Sequence, residues 1–360
     1  MPSNTIINIS DLESVSVFKF NADRSKVAVS PNDSKVNIYA ISGSNLKLES
    51  TFTEHSERVT GIDWCPKNNR ILTCGADRNA YVWNLDKSGE WKPSLVLLRI
   101  DRAAICCSWS PSEDKFAVGT GSKLICVCYY EVGNDWWVSK HIKKPIRSSV
   151  LCLDWHPGSS VLAAGSSDFC VRVFSAAIKE TKVKPVPTPW GEKTSFGAVF
   201  AEFRNTHDGW VHSVNFSPSG NRLVWTSHDA TVSCADVTSG QPATYLHKLT
   251  ILPFQTCLFL DEDTIICGGH NNSPFKFKFD GKTITFVEDI DKKITPDKAG
   301  AQEQSAMARF KNLDTLAQAG AVKSTAQKTT HGNTITCLNR IDKSKFASSG
   351  LDSKIVIWSL

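Results

Sequence analysis

The sequence predicts an all-β fold, a seven-bladed β-propeller with a helix-containing insertion between the sixth and seventh blades. Three observations predict it. An alternating apolar run that ends in an aromatic, followed by a turn and often proline, recurs at Phe20, at Trp64 in WCP, Trp109 in WSP, Trp155 in WHP, Phe216 in FSP and Phe259, with a weaker copy, CLNR, at Leu338. Successive copies stand 44, 45, 46, 61, 43 and 79 residues apart, and four of the six gaps match the period of one four-stranded blade. Later in the repeat an aspartate precedes an aromatic by six residues: Asp33 before Tyr39, Asp77 before Trp83, Asp168 before Phe174 and Asp352 before Trp358.

These marks are those of WD repeats, and each has a physical reason. The aspartate can accept backbone N–H bonds in the turn before the third strand of a blade. The aromatic then closes that strand and packs between blades. His55 and His331 occupy the place of the histidine in the GH dipeptide of such repeats. Resemblance to the repeats implies a buried hydrogen-bond network, which His55, Thr73, Asp77 and Trp83 would supply in the second blade, with Asp168, His331, Asp352 and Trp358 as members in later blades. Asp229 has only Ala235 six residues on, and the third and sixth blades lack the full signature.

The ends and the two long gaps complete the layout of residues 1–360 as a single propeller. The last blade begins near His331 and stops at WSL, one strand short, whereas NTIINIS near the start is a strand with no place in the first blade. Residues 1–10 are expected to close the last blade, leaving no open edge to aggregate. The 61- and 79-residue gaps signal insertions, a proline-rich one over 179–200 and a longer one over 285–330.

Composition narrows the function classes. With 41% hydrophobic and 21% charged residues, the chain has ample material for a core, and wholesale disorder is not expected. The start, MPSNTIINIS, is not expected to be a signal peptide, and runs such as ILPFQTCLFL are too short to span a bilayer, so no membrane partner is expected. Seven of the twelve cysteines, among them Cys106, Cys126, Cys152 and Cys257, sit inside apolar strand-like runs, where a free thiol behaves as a small hydrophobe. No CxxC pair is present, and reduced thiols are the expectation. The net charge of +5 permits acidic partners without demanding nucleic acid, and none is expected.

Catalytic patterns are missing. No HExxH, GxSxG or GxxxxGK[ST] occurs, and the glycine-bearing runs VGTGS and CGGH fall where blade turns are needed. His207 and His212 in THDGWVHSV could in principle share a metal, but a structural role at a strand entrance is the preferred reading. No metal, no cofactor and no enzymatic activity are expected.

Three stretches exceed what a propeller requires. NDWWVSKHIKKPIRSS carries Trp136 and Trp137, whose side chains must point to opposite faces of a strand, then Lys140, His141, Lys143, Lys144 and Arg147. It is either a solvated edge or a basic site for an acidic peptide or a subunit. In KETKVKPVPTPWGEKTSFG, Pro185, Pro187 and Pro189 hold the chain extended, and Trp190 is a docking anchor or a lid over a blade. Within the long insertion, AQEQSAMARFKNLDTLAQA over 301–319 predicts a helix capped by Gly320. Its apolar stripe of Ala306, Phe310, Leu313 and Ala317, flanked by Met307 and Leu316, is about 60° wide, narrower than a core-packed helix presents. Either Phe310 and Leu313 pack back on the propeller or the helix projects and docks in a partner's groove.

Together NDWWVSKHIKKPIRSSVLCLDWHP, PTPWGEKTSFG, VSCADV and ARFKNLD resemble the propeller-forming subunit family of the actin-related protein 2/3 complex, over nearly the whole chain. The resemblance implies a non-catalytic scaffold and regulatory subunit of the cytoplasmic machine that nucleates branched actin filaments at the actin cytoskeleton. It implies contacts with the actin-related proteins and the small subunits, with the acidic tails of nucleation-promoting factors, and with actin of the mother filament. Met307, Arg309, Phe310, Leu313 and Asp314 fall in the matching actin-contacting helix; Trp136, Trp137, Lys140, Lys143, Lys144 and Arg147 are the candidates for the acidic tail or a subunit. The alternative is a generic WD-repeat adaptor for another assembly, of histone-reading or ubiquitin-ligase type.

Overall fold

The computed structural model describes residues 3–9, 11–43, 45–181, 186–192, 195–291 and 329–360. Among them lie 28 strands in seven four-stranded antiparallel sheets. Blades one to three run from β2 (Val17–Phe20) to β5 (Asn45–Phe52), β6 (Val59–Trp64) to β9 (Trp91–Val96) and β10 (Ala104–Trp109) to β13 (Trp136–Ile142). Blades four to six run from β14 (Val150–Trp155) to β17 (Val199–Arg204), β18 (Val211–Phe216) to β21 (Ala243–Lys248) and β22 (Phe254–Phe259) to β25 (Ile284–Asp289). Blade seven takes β26 (Ile335–Arg340), β27 (Lys345–Gly350) and β28 (Lys354–Ser359) from the end of the chain and β1 (Ser3–Asn8) from its beginning. Each first strand contacts the first strands of both neighbours, so the ring closes.

Position in the blade sets the residue pattern. Middle strands have a blade on each face, and β11 (Lys115–Thr120), β16 (Cys170–Ser175) and β20 (Thr231–Asp236) are buried at every position. Outer strands face solvent on one side, and β21 alternates accordingly. β1 pairs in register with β28 from Ser3 opposite Ser359 to Asn8 opposite Lys354. It also buries Ile7, a side chain whose burial contributes about 1.5–3 kcal/mol. Closure thus rests on both backbone pairing and apolar contact.

The register corrects one repeat mark. Arg340 stands opposite Phe346 as Trp64 stands opposite Ile71 and Trp109 opposite Phe116, so blade seven carries Arg340, not Leu338, at the aromatic's place. The residue just before that place staples blades together. The Trp109 N–H donates to Asp63 at 2.7 Å, the Phe216 N–H to Asp154 at 2.7 Å and the Phe259 N–H to Asn215 at 2.7 Å. Asn339 closes the circuit by donating its side-chain amide to the Phe18 carbonyl at 2.9 Å.

Both insertions leave this frame intact. The proline-rich one connects β16 to β17 inside blade four. Trp190 in it is only 4% exposed, donates its indole N–H to the Gly220 carbonyl at 2.7 Å and packs against Phe216. It is therefore a lid and not an exposed docking anchor. The long insertion leaves after β25, and its two ends are tied: the Thr330 hydroxyl donates to Asp291 at 2.6 Å and the Thr330 N–H bonds the same carboxylate. The helix expected over 301–319, with Met307, Arg309, Phe310, Leu313 and Asp314, lies outside the described residues.

Candidate interaction surfaces

The repeat network comes first because it fixes where the surface residues stand. In blade two, His55 Nδ1 lies 2.9 Å from Asp77 Oδ2 and its Nε2 lies 2.9 Å from Thr73 Oγ1, while the Trp83 indole N–H donates to the same hydroxyl at 3.0 Å. The carboxylate requires the proton on Nδ1, so Nε2 accepts from Thr73 and every polar atom is satisfied. Burial holds His55 below its ordinary pKa, with Asp77 opposing. Blade seven repeats the arrangement: His331 joins Asp352 at 3.0 Å and Ser348 at 2.7 Å, and the Trp358 N–H reaches Ser348 at 2.8 Å. Asp168 departs from it. With no histidine in place, its two carboxylate oxygens both accept from Arg172 Nη1 at 2.9 Å, and Oδ2 also accepts from the Arg147 N–H at 2.8 Å.

Blade five solves the same problem with exchanged parts. Ala235 occupies the position of Trp83, but Trp225 on the neighbouring strand stands at the position of Thr73 and supplies the indole. The Trp225 N–H donates to Asn205 at 2.9 Å, and its ring stacks on Phe203 at 5.5 Å and 16°. The corresponding stack in blade two is Phe52 on Trp83 at 3.8 Å and 9°. Periodicity alone missed this because the aromatic changes strand. The visible signal was a tryptophan ten residues before the vacant position.

The basic stretch divides on β13. Trp136 is 55% exposed, whereas Trp137 is buried between Trp109 and Phe116 and is core, not contact surface. Lys140 and Lys143 line a groove of about 590 Å³ with His141, Arg99 and Phe196, on the flank where blades three and four meet. Arg99 is placed by donating to the Ser139 carbonyl at 2.5 Å, and His141 by donating Nε2–H to the Leu98 carbonyl at 2.9 Å. Burial lowers the His141 pKa, and the neighbouring Arg99 and Lys143 cations add to it. Lys140 is already paired with Glu180 at 2.8 Å and lies over the Tyr129 ring, so the free charge of the groove rests on Arg99 and Lys143. Lys144 and Arg147 are exposed on the loop into blade four, outside the groove lining. Sequence reading missed Arg99 because it arrives from the loop between blades two and three, some forty residues earlier in the chain.

The axial channel holds the remaining charged cluster. Lys19 pairs with Asp63 at 3.1 Å, and that carboxylate raises the lysine pKa. Burial pushes the Asp154 carboxyl up to about 7, against the Phe216 N–H bond and the Lys19 charge, which lower it. His207 and His212 do not come together; His212 Nε2 instead meets His228 Nδ1 at 3.1 Å. Among the described residues no group of three or more His, Cys, Asp or Glu side chains could hold a metal ion. All twelve cysteines are unpaired, and burial pushes thiols such as Cys65, Cys126 and Cys257 up to about 12. Among the described residues no helix is long and apolar enough to cross a membrane.

Fold and surfaces together define a seven-bladed WD-repeat propeller that offers shaped faces to other molecules. The WD domain, G-beta repeat family matches residues 46–84, 139–175 and 200–236. The chain is 49% identical over 354 residues to actin-related protein 2/3 complex subunit 1A-B of Xenopus laevis, covering 96% of this chain and 94% of the relative. It is 38% identical over 363 residues to subunit 1 of the same complex in Schizosaccharomyces pombe, covering 95% of each. Against the Saccharomyces cerevisiae subunit 1 it is 35% identical over 367 residues, covering 95% of this chain and 93% of the relative. The chain belongs to the family of subunit 1 of the actin-related protein 2/3 complex.

Proposed function

We propose that the chain is a non-catalytic scaffold and regulatory subunit of a complex that nucleates branched actin filaments in the cytoplasm, at the actin cytoskeleton. The observation that carries the reading is the extent of relatedness, 49% identity along 96% of the chain with subunit 1A-B of the actin-related protein 2/3 complex. In this role the propeller binds the actin-related proteins and the small subunits. The groove of Arg99, Lys140, His141 and Lys143 receives the acidic tail of a nucleation-promoting factor, with Trp136 exposed on the same outer strand. Met307, Arg309, Phe310, Leu313 and Asp314 in the long insertion meet actin of the mother filament.

Native isolation of the tagged full chain from its own cells tests the assignment. Actin-related proteins are expected in stoichiometric amounts in the bound fraction. Recovery of a monomer, of histones or of a ubiquitin-ligase scaffold in their place would point to the generic adaptor and defeat the proposal.

A further inference from the structure

The basic groove on the flank of blades three and four is served by a carboxylate of its own chain. Lys140, which lines the groove, donates its ammonium to both oxygens of Glu180, at 2.8 and 2.9 Å, across 40 residues of sequence. Glu180 is placed there by its surroundings. Just before it, Ala176 and Ile178 are buried in the apolar core that blades three and four share. Just after it, the Thr181 N–H and hydroxyl both donate to the Ile178 carbonyl, at 3.4 and 2.9 Å, and close the turn on which Glu180 stands. Lys140 is steered from its own side as well, since its ammonium lies 5.4 Å from the centre of the Tyr129 ring. The hydrogen bond from Lys140 is the leading cause that holds the Glu180 carboxyl below its ordinary pKa.

The pair uses up charge that the groove would otherwise present. Arg99 donates to a main-chain carbonyl and Lys143 is exposed, so these two cations are open to a ligand while the third is already answered. The pair is also weak enough to exchange. The Lys140 side chain is 34% exposed and that of Glu180 48%, and ion pairs so open to water contribute little to stability. An incoming carboxylate would meet the same ammonium beside the same ring. Its arrival in place of Glu180 therefore swaps one carboxylate for another at little net cost. A segment with only enough acid for Arg99 and Lys143 gains nothing from that swap, whereas a denser one does.

On the reading that this groove receives an acidic tail, we propose that Glu180 is a built-in competitor that sets which acidic segments are accepted. It holds Lys140 while the groove is empty and yields it to a segment that brings a further carboxylate after Arg99 and Lys143 are satisfied. Fluorescence anisotropy of labelled, C-terminally amidated peptides titrated with the full chain tests this. Glu180→Gln is expected to tighten binding of an Asp/Glu-rich peptide about two- to fivefold at low salt and to steepen its salt dependence, because a third cation joins the contact. Glu180→Ala, which removes the hydrogen bond with the charge, should give the same gain. Neither variant should change the affinity of a peptide carrying only two carboxylates. Glu90→Gln frees Lys92 on β9 from an exposed pair outside the groove and should change neither peptide. Equal gains for Glu90→Gln, or for both peptides, would reduce the effect to net charge and overturn the competitor. Unchanged affinity of the Asp/Glu-rich peptide in both Glu180 variants, with the parent binding it, would overturn the competitor and leave the groove standing. Lack of saturable binding to the parent would instead defeat the groove assignment, and the competitor with it.

Discussion

Asp154 carries the strongest pH signature on the axis. Its carboxyl titrates near 7 in the fold against 3.8 in the free side chain, with burial as the leading cause. Between those values the folded protein holds a proton that the unfolded chain has released, so stability falls as pH rises from about 4 to about 7 and levels off above. Asp154→Asn keeps an acceptor for the Phe216 N–H without the charge. The variant should match the parent near pH 4 and exceed it by on the order of 1–2 kcal/mol at pH 8, less than the full shift implies because the channel admits water. Thermal midpoints of the two proteins across that range check this, and parallel curves would rule it out. The residue was legible in principle: Asp63, Asp154 and Asn215 each stand one place before a marking aromatic. What spacing cannot reveal is that these side chains bond the next blade, since a repeat read along one strand holds no information about its neighbour.

At the scale of elements, period and strand type were readable because burial on two faces demands continuous apolar runs and burial on one face demands alternation. Substitutions across strands were not readable, as Trp225 for Trp83 illustrates. The basic groove was half legible for the same reason. Lys140 and Lys143 lie in one stretch, but Arg99 joins them from the loop before β10, and Glu180 from the next blade neutralises Lys140. This sharpens the expectation for charge reversal. Arg99→Glu with Lys143→Glu should weaken binding of a synthetic Asp/Glu-rich peptide by about tenfold or more at low salt and remove most of its salt dependence. Lys144→Glu, outside the groove, should change affinity little. Fluorescence anisotropy at two salt concentrations decides the matter: equal losses for Lys143 and Lys144 would mean a diffuse field and not a groove.

For the whole molecule, closure and recognition are separable. The ring is sealed by β1 on β28 and by staples from blade to blade, and the long insertion departs and returns at one point where Asp291 holds Thr330. Its interior can therefore be altered without opening the ring. The docking reading of the stripe makes a sharp demand on Phe310. Burying such a ring against another protein contributes about 1.5–3 kcal/mol, so replacing it with a charge should cut the affinity of that contact by about tenfold or more. Phe310→Asp is accordingly expected to leave the thermal midpoint of the chain and its incorporation into the complex unchanged, while lowering the density of branches formed on preassembled filaments severalfold. Branch counting by fluorescence microscopy with complex of verified composition provides the measurement. Should the substitution lower the thermal midpoint or block assembly, Phe310 packs on the propeller or a neighbouring subunit, and the filament contact must be carried by other residues.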